Sequence, residues 1–435
     1  MAREMKDSGI DWIGRIPNSW SIVKNKYILE TMYSGGTPTS SNENYYSDDG
    51  IPFVSISDMS TAKYVTDTKK KLTEEGLKDK NLVILPKGTI LYSIYATIGA
   101  VSELRIPATI SQAMLALNLK QTFNKRYYKY NLQAMRDYIF FSANGNTQFN
   151  LNAEKVWNFF FVDPEINEQE RIANFLDTEC SRIDSVIEQT RTSIEEYKML
   201  KQAVITQAVT KGIRPNREMK NSGIACIGKI PNNWTVKRVK YIANSLSKGN
   251  GITKEEVHED GDIQCVRYGE IYSKYERDVI DTFSLTNLEE INNPRFISYG
   301  DILFAGTGEL VEEIGKNIVY LGRKDCLAGG DIIVMKHSQN PIFLNYALGS
   351  AYSQNQKSMG KAKLKVVHIS STEIGDIRIA LPSLSEQNEI VLYLNEKIQI
   401  IDDLIKRKEY LITELGTYKK SLIFEYVTGK KEVPA

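Results

Sequence analysis

The sequence predicts an α+β chain of two globular domains, related by a pseudo-twofold axis and joined by two long helices that pair antiparallel as a coiled coil. Three observations carry that expectation. Arg3 to Ile28 and Arg217 to Ile242 are one segment written twice, with 16 of 26 positions identical at an offset of 214. Pro164 to Thr210 and Pro382 to Thr428 repeat without a gap at an offset of 218, with 14 of 47 identical. Between them, IPFVSISDM (Ile51 to Met59) and GTILYS (Gly88 to Ser93) have counterparts 212 residues further on, IQCVRYGEI (Ile263 to Ile271) and GDILFA (Gly300 to Ala305). Two similar halves on one chain can present two equivalent surfaces, which suits a quasi-symmetric target such as duplex DNA.

Each half opens on a block ending I-P-x-x-W and continues into runs rich in Val, Ile, Tyr and Thr, punctuated by Gly and Pro, which read as strands. A helical stretch follows, Lys125 to Phe141 or Pro341 to Gln356, closed by Gly145 or Gly360; a polar loop and a short strand then lead to Pro164 or Pro382. Beyond each proline the pattern changes. Leu176, Cys180, Ile183, Ile187, Thr190, Ile194 and Tyr197 step by four and three, as do Leu394, Ile398, Ile401, Ile405, Lys408, Ile412 and Leu415, which is a heptad seam. Glu168, Gln169 and Glu386 suit a helix first turn, and Gly212 and Gly429 suit the far ends. A helix of about 40 residues is about 60 Å long. Neither can bury its stripe alone, so each is the natural partner of the other, with Leu176, Ile183, Ile187, Ile194, Leu394, Ile401, Ile405 and Ile412 at the interface. The alternative, a helix that covers only its own domain, does not account for that length. The expected boundaries are residues 1–163 and 214–381 for the globular domains, and 164–213 and 382–435 for the helices.

With 435 residues, 42% hydrophobic and 25% charged, the chain has the composition of a globular protein of two to four domains. Cys180, Cys226, Cys265 and Cys326 are scattered, with no CxxC, so neither a disulfide framework nor a zinc site is indicated. No apolar run approaches the roughly 20 residues of a membrane helix, and MAREMKDSGI lacks a signal-peptide core. A cytoplasmic location without membrane contact is expected. Lys plus Arg is 55 against 54 for Asp plus Glu, which argues against tight DNA binding by the chain alone. Basic residues cluster locally at Lys120, Lys125, Arg126 and Lys129, at Lys237, Arg238 and Lys240, and at Lys361, Lys363 and Lys365; for each the alternative is a solvated face.

Catalytic motifs are missing. There is no GxxxxGK[ST] phosphate loop, no Asn/Asp-Pro-Pro-Tyr/Phe motif, no GxGxxG between a strand and a helix, and no HExxH. His258, His337 and His368 lie far apart without an obvious nucleophile. Gly306-Thr307-Gly308 reads as a turn after a strand, and the ExK spacing of Glu196-Tyr197-Lys198 as surface charge on a helix. The balance favours a recognition module over an enzyme.

Two variable domains, each introduced by G-x-I-P-x-x-W and each followed by a P-x-x-x-E-Q-x-x-I helix, resemble the specificity (S) subunits of type I restriction-modification systems. The likeness runs over nearly the whole chain: Gly14-Arg15-Ile16-Pro17 with Trp20, Gly228-Lys229-Ile230-Pro231 with Trp234, Gly35-Gly36-Thr37-Pro38, Glu168-Gln169 and Glu386-Gln387. The resemblance implies two target recognition domains, each reading half of a split site in double-stranded DNA, and a coiled coil that fixes the spacer. It implies two modification (methyltransferase) subunits and two restriction (translocase/nuclease) subunits as partners. S-adenosylmethionine, ATP and magnesium would then belong to those partners, with no cofactor, metal or catalysis in this chain. The second half departs at Gly249-Asn250-Gly251-Ile252, so the role of the GGTP turn is not carried across. The rival reading is a duplicated coiled-coil adaptor that binds no DNA.

Base reading needs directional donors and acceptors on loops beside a groove. The loop after Gly145 offers Asn146, Thr147, Gln148 and Asn150, suited to adenine edges; that after Gly360 offers Lys361, Lys363 and Lys365, suited to guanine edges or phosphates. Further candidates are Tyr92, Tyr95 and Thr97, Ser111 and Gln112, Arg267 and Tyr268, and Thr307 and Glu309. For each of these, duty in a turn or at a strand end is the alternative.

Overall fold

A computed structural model describes residues 3–59, 63–143, 151–361 and 366–434. The chain divides into two compact units, Met1–Thr190 with Tyr410–Ala435, and Arg191–Glu409. Both divisions fall inside the long helices, Ile166–Lys211 and Leu384–Val427, so each unit holds one globular domain and a segment of each helix.

In the first unit a five-stranded sheet runs in the order Leu29–Ser34, Met114–Leu119, Ile90–Ser93, Val101–Leu104, Tyr64–Val65. In the second the order is the same: Ala243–Lys248, Ile332–His337, Ile302–Ala305, Asn317–Tyr320, Asp278–Val279. The central strands are buried on both faces because apolar residues occupy both phases of the strand period. Ile90, Tyr92, Leu115 and Leu117 join the core shared with the helices, while Leu91, Met114 and Ala116 join a second core behind the sheet. Ile302, Phe304, Ile333 and Met335 divide in the same way from Leu303, Ala305, Ile332 and Val334. A smaller sheet completes each domain. It holds one parallel pairing in both, Phe53–Val54 with Thr109–Ile110 and Gln264–Val266 with Cys326–Ala328.

Two expectations are corrected. The first strand-like run ends at Val54 and continues as a helical turn, Ile56–Met59; its counterpart ends at Val266 and continues as the helix Tyr268–Ser273. The single helices expected after the sheets are broken in two, Lys125–Ala134 and Arg136–Ala143, and Pro341–Gly349 and Ala351–Ser358. At the second break Ser350 is extended (φ −73°, ψ 158°), and the hydroxyls of Ser350 and Ser353 both donate to the Ala347 carbonyl, at 2.6 and 2.7 Å. They satisfy an acceptor that the helix end leaves open.

The repeated motifs are repeated contacts. The Trp20 indole N–H donates to Glu168 at 2.8 Å, and the Arg3 guanidinium donates to the other carboxylate oxygen at 2.5 Å. Trp234 donates to Glu386 at 3.0 Å, and Arg217 holds the same carboxylate. Burial alone would raise the Glu386 carboxyl; the Arg217 and Trp234 donors prevail and hold it below the usual carboxylate range. Gln169 accepts from the Asn124 N–H and donates to the Pro164 carbonyl; Gln387 accepts from the Asn340 N–H and donates to the Pro382 carbonyl. The tryptophan of the I-P-x-x-W block thus holds the glutamate of the E-Q pair at the start of each long helix, and the glutamine ties that start to the globular domain. Gly212 and Gly429 close the helices in the left-handed region (φ +71° and +69°), as a helix-ending glycine does.

The helix segments pair antiparallel within each unit. In the first unit Phe175 stacks on Tyr426 with ring centroids 4.4 Å apart, and Asp184 pairs with Lys419 at 2.6 Å. In the second, Lys408 lies over the Tyr197 ring and Lys201 pairs with Asp402 at 2.6 Å. Asp184 and Asp402 are equivalent in the repeat, as are Lys201 and Lys419, so one Asp–Lys contact is made twice with the partners exchanged. Leu176, Ile183, Ile194, Leu394 and Ile401 are buried on the 4-3 stripe, and Ile187, Ile405 and Ile412 are half-buried. Among the described residues no helix is long and apolar enough to cross a membrane.

Candidate nucleic-acid interface

In each domain several loops meet on one short segment. In the first it is Ser111–Ala113. The Gly36 N–H donates to the Ile110 carbonyl at 3.2 Å, the Ser111 N–H to Val54 at 3.0 Å, and the Ile94 N–H to Ala113 at 2.9 Å. The loops after Ser34, Val54 and Ser93 therefore converge there. In the second domain the segment is Gly329–Asp331: Asn250 donates to Ala328 at 3.0 Å, Gly329 to Val266 at 2.8 Å, and Gly306 to Asp331 at 2.6 Å. A Cβ on Gly35 would overlap the Ser111 carbonyl oxygen, and one on Gly249 the Gly329 carbonyl oxygen, so both close approaches require glycine. The GNGI turn therefore does the backbone work of the GGTP turn, which its sequence had left in doubt.

What differs is the side chains on this common frame. In the first domain Tyr95 (47% exposed) and Gln112 stand in solvent and Thr97 is half-buried, all beside the junction. Ser111 is buried and contributes backbone. Tyr92 is corrected outright: it is fully buried, packed edge-on against Phe159, and burial pushes its phenol far up, so it is a core residue. In the second domain Arg267 and Tyr268 line a groove at the equivalent junction, Thr307 follows Gly306, whose N–H is bound there, and Glu309 is exposed further along that loop. Thr307 Oγ1 lies 3.0 Å from His368 Nδ1, and the Thr307–Gly308 strand pairs with Val367–His368. Lys361 is tied down, donating to the His368 carbonyl at 2.6 Å and to Glu373 at 2.5 Å. Asn146, Thr147, Gln148, Asn150, Lys363 and Lys365 lie outside the described residues.

Much of the local basic charge is used inside the fold. Lys125 and Lys129 pair with Glu103 at 3.2 and 2.7 Å, Arg126 with Asp177 at 2.9 Å, and Arg238 and Lys240 with Asp376 at 3.1 and 2.9 Å. Sequence reasoning missed Thr37, Ser55 and Asp58 at the first junction and Lys254, Lys274 and Asp331 at the second. The signal that could have found them is the register of the halves, which sets Ser55 opposite Arg267 at the offset of 212. Among the described residues no cluster of His, Cys, Asp and Glu could hold a metal ion.

The sequence pattern of the type I restriction modification DNA specificity domain matches residues 17–196 and again residues 231–414. The chain belongs to this family. It carries two specificity domains, each ending in a segment of long helix. Among relatives, it is 25% identical to the putative type I restriction enzyme MjaX specificity subunit of Methanocaldococcus jannaschii, over 97% of this chain and 96% of that one. It is 26% identical to the MjaIX specificity subunit of the same organism, over 71% and 70%. A chain solved in work on complex assembly and conformational transition of the type I R-M system shares the fold, with a TM-score of 0.68 over 96% of this chain and 99% of that chain at 14% identity.

Proposed function

We propose that the chain is the DNA-reading subunit of a type I restriction-modification complex, with each domain reading one half of a bipartite double-stranded site through its loop junction. The observation that carries this reading is one backbone frame, built twice, presenting unlike side chains: Tyr95 and Gln112 in one domain, Arg267 and Tyr268 in the other. That is what a split, asymmetric target asks for, since position is set by the frame and sequence by the side chains. The paired helices set the unspecified spacer between the half-sites. Two modification subunits and two restriction subunits assemble on this chain, and S-adenosylmethionine, ATP and magnesium are theirs; this chain performs no chemistry. Its near-zero net charge fits a subunit whose partners supply further phosphate contacts. The test is methylome sequencing of the host with and without the coding sequence. A bipartite methylated motif that disappears on deletion supports the proposal, and a methylome unchanged by deletion overturns it.

A further inference from the structure

Resting on the reading above, we infer that the groove at Arg267 in the second domain reads a G·C base pair, with Arg267 on the guanine and Asp331 on the cytosine. Arg267 leaves the end of the strand Ile263–Val266 and opens into a groove walled by Gly251, Tyr268, Gly269, Gly330 and Asp331. Its guanidinium is braced from behind: Glu270, buried, accepts the Arg267 backbone N–H at 3.0 Å, lies 3.5 Å from Nη2, and is itself held by the Ser284 hydroxyl. The Arg267 Nε–H is buried and has no acceptor among the described residues. A braced, planar fork of donors matches the O6 and N7 acceptors of guanine in the major groove.

The walls set an acceptor beside the donor. Two carboxylates, Glu270 and Asp331, and two lysines, Lys254 and Lys274, line the same groove as the arginine; Glu270 is buried against Arg267, which leaves Asp331 as the exposed acceptor beside the arginine, and a phosphate has no donor to offer it. Carboxylates do suit a base edge, because an exposed acid can accept from the cytosine N4 amine while arginine donates to its guanine partner. Part of the remaining wall is bare backbone, at Gly251, Gly269 and Gly330. A Cβ on Gly251 or Gly269 would meet nothing within 4 Å, and neither has a positive φ, so the open space there is not demanded by the fold. It leaves room for a large flat group to come close. The first domain has no such fork: at the equivalent place Ser55 spends its hydroxyl on Asp58 at 2.6 Å.

The test uses the full chain assembled with its modification subunits and selected against a duplex pool with a randomised central stretch. The intact complex should enrich two short blocks, one containing a G·C pair. Arg267→Ala should cut the preference at that one pair by about tenfold to a hundredfold and leave the other block intact. Arg267→Lys, which keeps the charge but loses the fork, should lose the same preference. Gly269→Leu, which fills the groove without touching the fold, should abolish enrichment of that block alone. Enrichment of two blocks with every preference unchanged in these variants overturns the inference and leaves the proposed function standing. Uniform weakening on all duplexes by Arg267→Ala marks a phosphate contact and also overturns it. Absence of any block from the intact complex defeats the proposed function, and the inference with it.

Discussion

Replacing Glu386 by alanine should loosen the second domain's clasp more than the same change at Glu168 loosens the first. The Glu386 side chain is 6% exposed and Arg217 14%, and removing the carboxylate takes the acceptor from the buried Trp234 indole N–H and the counter-charge from Arg217, which keeps the neutral Asn233 Oδ1 at 2.8 Å. Breaking a fully buried pair costs about 3 to 5 kcal/mol; residual access to water brings the expectation here to about 2 to 4 kcal/mol. Glu168 and Arg3 are 23% and 26% exposed, and Arg3 keeps a second acceptor in Glu432 at 3.1 Å. For that site the expectation is about 1 to 2 kcal/mol. A chain of two units need not unfold in one step, so the readout is native-state hydrogen exchange at the two indole N–H groups. Protection of Trp234 should fall by about 30-fold to 1,000-fold in Glu386→Ala, and that of Trp20 by about 5-fold to 30-fold in Glu168→Ala. Equal losses, or a larger one at Trp20, would refute the argument from burial.

Other outcomes are as specific. Lys357 is fully buried, donating to the Gly315 carbonyl at 2.7 Å and to Asn317 at 2.9 Å, and burial pushes its amine down to about 7. The unfolded chain then holds one more proton than the folded one from about pH 7 to the ordinary lysine value, so stability rises with pH across that window by an amount on the order of 4 kcal/mol. Urea midpoints measured at about pH 7 and about pH 9 should show about 2 kcal/mol of that rise in the parent and lose it in Lys357→Met; equal slopes would contradict it. Gly249→Ala should destabilise the second domain by about 1 to 3 kcal/mol through overlap with Gly329, seen as a lower thermal midpoint, whereas Gly251→Ala should leave it unmoved. Matched insertions of one heptad after Thr190 and after Glu409 keep the seam in phase and add about 10 Å of rod, so the spacer in the methylated motif should lengthen; an unchanged spacer counts against the ruler.

The doubled architecture was legible because it is local. The 4-3 stepping from Leu176 onward and the repeated I-P-x-x-W and E-Q pairs need no knowledge of distant contacts, although the use of Glu168 and Glu386 to bind Trp20 and Trp234 does. The junctions were not legible as junctions, since bonds such as Gly36 to Ile110 join residues more than seventy positions apart. Tyr92 was misread despite an available signal: it shares a strand face with Ile90, and both point into the core. The basic run at Lys125 to Lys129 stood out as a local cluster because its partners, Glu103 and Asp177, sit on other elements. Arg267 was found by residue type alone, and its place in the groove beside Gly330 and Asp331 is what separates it from the other paired arginines.

That each domain reads its own half-site is tested most directly by a paired substitution at one junction, Tyr95→Ala with Gln112→Ala, followed by methylome sequencing of a host carrying the altered chain. The account predicts that one block of the bipartite motif changes while the other block and the spacer stay as they were. Alteration of both blocks together, or of neither, would contradict it.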